Sequence, residues 1–171
     1  MTRPLSYITF VLTVTFLAMM SIFGSPFHAS PVAFAAEQQP LEDGLVKVKS
    51  AYGFDETIAR VKADIAAKGI VFFAEIDQAK LASNAKIKLN PSTLLVFGNP
   101  ALGTQFITSN PNAGLDWPVR LLVQQNDSGV VSMLYSDFDW IARRHRITDR
   151  QAAFTMASKV IASITSSAAK K

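Results

Sequence analysis

Residues 118–136 read PVRLLVQQNDSGVVSMLYS, and this stretch decides the fold class. Two apolar runs flank the turn Asn126-Asp127-Ser128-Gly129, a pattern typical of a β-hairpin. Because the strands of a hairpin are antiparallel, the chain is predicted to contain an antiparallel sheet. A doubly wound nucleotide-binding fold, which has parallel strands, is disfavoured.

Two long amphipathic helices are predicted, one before and one after this hairpin. The first covers residues 55–69, with Asp55 as N-cap and Gly69 at its C-terminal end. Its apolar stripe consists of Ile58, Val61 and Ile65. The second begins at residues 148–151, which have the spacing of a capping box. Its stripe consists of Phe154, Ala157, Ile161 and Ile164.

The remaining segments complete a strand-helix-four strands-helix order. Residues 45–50 alternate apolar and basic side chains, as in a strand with one solvated face. Residues 70–77 begin apolar on both faces, which is typical of a central strand, and residues 92–98 form another strand. Short helices are predicted at residues 78–85 and 100–109. The predicted fold class is α+β, an antiparallel sheet with two main helices packed on one face.

The first 35 residues have the composition of an export signal. Arg3 precedes an uncharged, mostly apolar run over residues 5–24, and Ala33-Phe34-Ala35 follows. We expect cleavage near Ala35 or Ala36 and a periplasmic or secreted product. An uncleaved anchor in the inner membrane is the alternative, because residues 5–24 are long enough to span a bilayer. The mature chain then divides into a flexible leader (36–44), a single domain (45–166) and a frayed tail (167–171).

The composition excludes several classes of chemistry. The chain has no cysteine, so disulfides, cysteine nucleophiles and lipid attachment at an N-terminal cysteine are excluded. Loss of the signal removes only Arg3 among the charged residues, so the formal net charge falls from +4 to +3. Such a mild charge, on an exported chain, predicts no nucleic-acid partner.

Residues 94–106, LLVFGNPALGTQF, contain two glycines with the separation found in a Walker loop. Threonine and glutamine follow Gly103, where a phosphate-binding loop needs lysine and then serine or threonine. The favoured interpretation is a strand that ends at Gly98 and turns into a helix with Asn99 as cap and Pro100 at its first position. The backbone amides at such a helix start still attract small anionic or polar ligands.

Candidate site residues fall at this loop and at two strand ends. Glu75 and Asp77 share one face of a strand and suit proton transfer if they enter a pocket, although a strand ending in this way commonly emerges into solvent. An active site would require these carboxylates to converge with the helix start. The candidates taken from the residues alone are Glu75, Asp77, Asn99, Gly103, Thr104 and Tyr135.

Neither a metal site nor a Ser-His-Asp triad has all the residues that it needs. His145 is the only histidine after loss of the signal, and its arginine neighbours in RRHR (143–146) repel a metal cation. We predict a surface histidine on a solvated helix. With no G-x-S-x-G elbow, no catalytic residue, metal site or cofactor is assigned.

The aromatic residues suggest an apolar pocket between sheet and helices. Some of those near the strand ends are expected to form its wall, and the others to fill the core. If one sheet face is left uncovered by helices, self-association as a homodimer hides its apolar side chains. The aromatic residues concerned are Phe72, Phe73, Phe97, Phe106, Trp117, Tyr135, Phe138 and Trp140.

Over residues 44–164 the chain resembles the bacterial domain of unknown function 302 family, also described as TBP-like. The matching segments are GIVFFAEID (69–77), NPSTLLVFGNPALGT (90–104), LDWPVRLLV (115–123) and VSMLY (131–135). The resemblance implies a strand, a helix, four strands and a helix around a curved sheet, and no common activity. Many members have histidine where this chain has Gln78, so Gln78 joins the candidate pocket residues although its amide cannot titrate.

Two functions are left open by the sequence. The first is an exported domain that binds a small ligand or a protein partner without catalysis. The second is an extracytoplasmic enzyme in which Glu75 or Asp77 transfers a proton beside the loop of Asn99, Gly103 and Thr104. The first is favoured, because every recognisable catalytic set lacks a member.

Overall fold

The computed structural model describes residues 39–40 and 43–170, so the predicted export signal and most of the leader lie outside the described residues. A short 3-10 helix spans Pro111–Leu115. The other elements are β1 (Gln39–Pro40), β2 (Leu45–Lys49), α1 (Phe54–Ala67), β3 (Val71–Asp77), α2 (Gln78–Asn84), β4 (Ser92–Gly98), α3 (Pro100–Ser109), β5 (Val119–Gln125), β6 (Val131–Ser136), α4 (Phe138–Arg144) and α5 (Gln151–Ala169).

The described strands form one sheet in the order β1-β2-β6-β5-β4-β3, and every neighbouring pair is antiparallel. The predicted β5–β6 hairpin is confirmed, with Leu122 opposite Leu134. Its turn is closed by Asn126, whose Oδ1 accepts hydrogen bonds from two turn amides, and by Gly129, whose φ of +78° favours glycine. The α+β class and the order of the main elements are therefore confirmed.

Both main helices pack on one face of this sheet. The predicted stripes of α1 and α5 are buried, and they meet the buried side chains of the central strands, among them Leu95, Leu121, Val123 and Met133. A Gly69 φ of +63° ends α1 as predicted. The other sheet face carries a row of apolar side chains that runs across four strands: Leu134, Leu122, Leu94 and Ile76. The three leucines are half-buried, and Ile76 on β3 is exposed.

Strand β3 lies at the sheet edge, so the prediction of a central strand was wrong. Only Ala74 among its seven residues is even half-buried. A continuous apolar run is typical of a strand covered on both faces. Here the run belongs to an edge strand that exposes Val71, Phe72, Phe73 and Ile76 instead.

Helix ends differ from the sequence expectations at three places. Helix α1 begins at Phe54 with Gly53 as N-cap, and Asp55 lies in its first turn. Helix α5 begins at Gln151 without a side-chain cap, so the predicted capping box does not form. It continues through Ala169 into the segment expected to fray, because the Ala168 carbonyl accepts hydrogen bonds from the Ser50 hydroxyl and the Ala51 amide.

The leader also contains ordered structure where the structure describes it. Gln39 and Pro40 pair with Lys47 and Val46 as the short strand β1. Gly44 adopts a φ of +79°, and its carbonyl accepts a hydrogen bond from the Asp137 amide. The described part of the predicted flexible leader is therefore attached to the sheet.

Candidate functional site

An apolar cavity of about 550 Å³ lies at the end of β4, between the sheet and α5. Its wall combines aromatic side chains with aliphatic side chains from α3, β5 and α5. Four of the eight aromatic residues singled out in the sequence contribute to it: Phe97, Phe106, Trp117 and Phe138. A volume of this size suits a small organic molecule.

Trp117 forms the part of the wall that explains the two glycines. A Cβ atom on Gly103 would lie 1.8 Å from the indole nitrogen of Trp117, and one on Gly98 would lie 3.0 Å from the same atom. Real Cβ atoms do not make contacts as short as 1.8 Å, and they only rarely make contacts of 3.0 Å. The glycines therefore give the indole room to pack directly on the β4–α3 turn.

Besides the Trp117 indole, three polar side chains line the cavity, and all three belong to exposed residues: Lys68, Asn99 and Gln105. Asn99 caps α3, because its Oδ1 accepts a hydrogen bond from the Leu102 amide at 3.3 Å, and this confirms the predicted cap. Lys68 lines the cavity while its Nζ lies 2.6 Å from Asp64 Oδ2. Gln105 also lines it. The lining is thus mainly apolar, and Lys68 is its one charged side chain.

A buried ionic cluster holds the segment that carries Trp117, and sequence reasoning missed it. His145 Nε2 lies 2.6 Å from Asp116 Oδ2, and both side chains are buried. Arg144 Nη1 donates to both oxygens of Asp116 at 3.1 Å, and Arg120 Nη2 donates to Oδ1 at 3.2 Å. The prediction of a surface histidine was therefore wrong, because the RRHR sequence did not reveal a partner 29 residues away.

This cluster fixes the position of Trp117 without lining the cavity. Asp116 directly precedes Trp117 and is joined to α4 through Arg144 and His145. The Asn110 amide adds a hydrogen bond to the His145 carbonyl at 2.8 Å. The chain before β5 is thereby attached to the end of α4, directly beside Trp117.

The predicted carboxylate pair lies away from the cavity. Glu75 is exposed on β3, and its Oε2 accepts a hydrogen bond from Lys62 Nζ at 2.6 Å. Asp77 is also exposed and caps α2, because its Oδ1 accepts from the Lys80 amide at 2.8 Å. Neither group lines the cavity, so the structure does not bring them to the helix start.

The other predicted residues are distributed over separate places. The Oε1 atom of Gln78, at the start of α2, accepts a hydrogen bond from the Ser92 hydroxyl at 2.7 Å. The exposed Thr104 hydroxyl donates to the Pro100 carbonyl within α3. Of the seven candidates, only Asn99 and Gly103 line the cavity.

Tyr135 lies beneath α5 in a different concavity. Its ring is buried, and burial together with the nearby Asp137 carboxylate raises the pKa of its hydroxyl to about 12, against a smaller opposing effect of the hydrogen bond with Thr165. A neutral hydroxyl so far from titration serves packing and hydrogen bonding. The described residues contain no cluster of three His, Asp or Glu side chains with metal-binding geometry.

A family comparison identifies the chain. Residues 46–164 match the family model for the domain of unknown function DUF302. The chain belongs to the DUF302 family. The matched range extends from β2 to α5 and contains the cavity, the Asp116 cluster and the glycine turn.

A solved DUF302 structure shows the same fold. The crystal structure of an uncharacterized conserved DUF302 protein from Bacillus stearothermophilus superimposes with a TM-score of 0.67 at 16% identity. The match covers 73% of this chain and 98% of that one.

Curated proteins that match part of this chain are longer than it. The chain is 36% identical over 107 residues to proteins named fluoride-specific ion channel FluC 1, from Brucella suis and from Brucella abortus. The match covers 63% of this chain but only 42% and 40% of those chains. Within the described residues, each helix is too short or too polar to serve as a membrane span.

Proposed function

We propose that this DUF302 protein is an exported binding protein that holds a small, largely apolar molecule in the cavity beside Trp117. One observation carries the proposal: a cavity of about 550 Å³ whose lining is mainly apolar and aromatic, with few polar side chains. Such a lining recognises a ligand by burial of apolar surface, and its few polar side chains orient a polar end.

The geometry favours binding over catalysis. Enzymatic proton transfer would need a carboxylate within hydrogen-bond reach of the bound molecule. Glu75 pairs with Lys62 and Asp77 caps a helix, both outside the cavity lining. The Asp116–His145 pair is buried, is joined to two arginines and lies outside the cavity lining. Neither predicted carboxylate lines the cavity, and Lys68, the one titratable side chain in its lining, is paired with Asp64.

Binding is tested with the fluorescence of Trp117. The chain has two tryptophans, so Trp140→Phe leaves Trp117 as the only indole. The probe is 1-anilinonaphthalene-8-sulfonate, which has an apolar ring system and an anionic end. Saturable quenching of Trp117 at one probe per chain supports the proposal, and unsaturable or absent quenching contradicts it.

A matched pair of variants locates this binding. Val160 lines the cavity from α5, whereas Ser163 lies exposed on the same helix. Val160→Phe removes cavity volume and is expected to weaken probe binding at least about ten-fold, or 1.4 kcal/mol. Ser163→Phe adds the same ring outside the cavity and is expected to change nothing. Equal effects of the two substitutions would place the probe elsewhere.

Export and cargo are tested together by native mass spectrometry. The full-length chain is produced in a bacterium, and the protein is taken from the extracytoplasmic fraction. A mass that begins near Ala36 supports cleavage, whereas full-length protein in the membrane fraction supports the anchored alternative. A retained small molecule, released on mild denaturation, would identify the ligand class.

The names of the Brucella relatives favour a second candidate, fluoride binding by this domain. Half-exposed Arg120 and Arg144 give a place where an anion meets positive charge, although both already contact Asp116. Fluorine-19 NMR of sodium fluoride with increasing protein tests this directly. A shifted or broadened fluoride resonance supports the candidate, and an unchanged one rejects it.

A further inference from the structure

The apolar surface of the described chain is concentrated at one edge of the sheet. Nine large apolar side chains are exposed among the described residues, and seven of them lie between Val71 and Leu89. They belong to β3, to α2 and to the loop before β4. Four come from β3 itself: Val71, Phe72, Phe73 and Ile76.

Strand β3 also offers unpaired backbone. It is the last strand of the sheet, paired with β4 on one side only among the described residues. It contains neither lysine nor proline, the residues that commonly prevent edge strands from pairing. Its two carboxylates are already engaged, because Glu75 pairs with Lys62 and Asp77 caps α2. The edge therefore has the features of a strand that pairs with another polypeptide.

We propose that the β3 edge pairs antiparallel with the β3 edge of a second copy of this chain, which joins two sheets into one. A strand that pairs with itself in this way gives a closed two-fold dimer. The segment from β3 to the loop before β4 carries seven of the nine exposed large apolar side chains of the described residues, so this pairing brings two such segments together.

The mature N-terminus is too far away to cover this edge. Strand β1 lies five strand spacings from β3, which is roughly 24 Å. After the proposed cleavage near Ala36, residues 36–38 precede β1, and three residues span at most about 11 Å. This step rests on the proposed export, whereas the dimer itself can be measured without reference to the ligand.

The charges and the bulge of β3 select one alignment. Phe73 is an extra residue between Phe72, opposite Phe97, and Ala74, opposite Val96. With the two-fold axis at Ala74, the bulge brings Ile76 opposite Val71 of the partner subunit, on the same face. Glu75 then lies opposite the two phenylalanines. An axis at Glu75 would instead place two carboxylates directly opposite each other.

This alignment makes a charge-exchange test decisive. Val71 and Ile76 are five residues apart in an extended strand, so they cannot contact each other within one chain. Val71→Glu and Ile76→Lys each place a charge opposite an apolar side chain, twice per dimer. Combining them places opposite charges across the axis, twice per dimer, only if two copies pair antiparallel.

The assay is sedimentation equilibrium of the cleaved protein without ligand. We expect a wild-type dimer, a dimer Kd raised at least about ten-fold in each single variant, and recovery to within about three-fold in the double variant. Leu115→Glu, at an exposed leucine outside this edge, is the control and should leave the Kd unchanged. Circular dichroism verifies that each variant is folded.

Three results would overturn the proposal. A wild-type monomer at about 100 μM would exclude the pairing of two β3 edges. Unchanged dimers in both single variants would place the interface on another surface. A double variant no tighter than the weaker single variant would exclude antiparallel pairing of two β3 strands.

Discussion

The close contact between Gly103 and Trp117 makes a quantitative prediction for Gly103→Ala. The added methyl group would lie 1.8 Å from the indole nitrogen, and ordinary contacts begin at 3.4 Å, so the rigid ring must move by about 1.6 Å. Overpacking of this kind costs about 1–3 kcal/mol. Alanine regains up to about 1 kcal/mol of helix propensity within α3. A displacement of this size lies at the upper end of that range, so the free energy of unfolding should fall by about 2 kcal/mol.

The assay is urea denaturation followed by Trp117 emission in the Trp140→Phe background. Displacement of the indole should also shift its native emission towards that of solvated tryptophan. Two graded controls accompany it: Gly98→Ala, with 3.0 Å to the indole nitrogen, should cost less, and Gly114→Ala, with its nearest atom at 3.9 Å, should stay within about 0.5 kcal/mol. A Gly103→Ala protein of wild-type stability and unchanged emission would refute the role assigned to this glycine.

Three further substitutions test the environment of the site, each read by urea denaturation. Asp116→Ala removes the partner of the buried His145 and should lower the free energy of unfolding by roughly 3 kcal/mol. The control Asp127→Ala removes a solvent-exposed hydrogen bond and should cost under about 1 kcal/mol. Equal costs would contradict the structural role of the cluster. Asn99→Ala removes the α3 cap and should cost about 1 kcal/mol, with Asn99→Asp retaining most of it. The pKa of Tyr135 is raised to about 12 in the folded protein, so this hydroxyl ionises first in the unfolded chain. The stability that this group contributes is therefore fully present below pH 10 and is lost as the pH rises towards 12. The free energy of unfolding of Tyr135→Phe should fall less than that of the wild type over that pH interval. Parallel profiles of stability against pH would contradict the raised pKa of Tyr135.

The sequence was sufficient where the deciding residues are neighbours in the chain. The Asn126–Gly129 turn predicted the β5–β6 hairpin because a turn and its flanking strands are local features. The apolar stripes predicted the buried faces of α1 and α5 for the same reason. The helix start at Asn99 and Pro100 also follows from adjacent residues. Local chemistry therefore accounts for the hairpin and for three of the helix features.

Features that depend on distant residues could not be obtained in this way. The apolar run of β3 predicted a central strand, but the order of strands in a sheet is set by packing between segments. His145 was assigned to the surface because its neighbours are arginines, whereas its partner Asp116 belongs to the segment before β5. The two glycines resembled a phosphate loop, and their role became clear only through Trp117, which lies 14 residues beyond Gly103.

The cavity and the β3 edge share a side-chain contact that relates the two proposals. Phe73 of the edge strand packs edge-on against Trp117, with ring centroids 6.2 Å apart, and Trp117 forms the cavity wall. A ligand that presses on the indole therefore acts on a ring at the proposed dimer interface. Binding free energies that are coupled in this way are reciprocal, so a ligand that tightens the dimer must itself bind the dimer more tightly by the same factor.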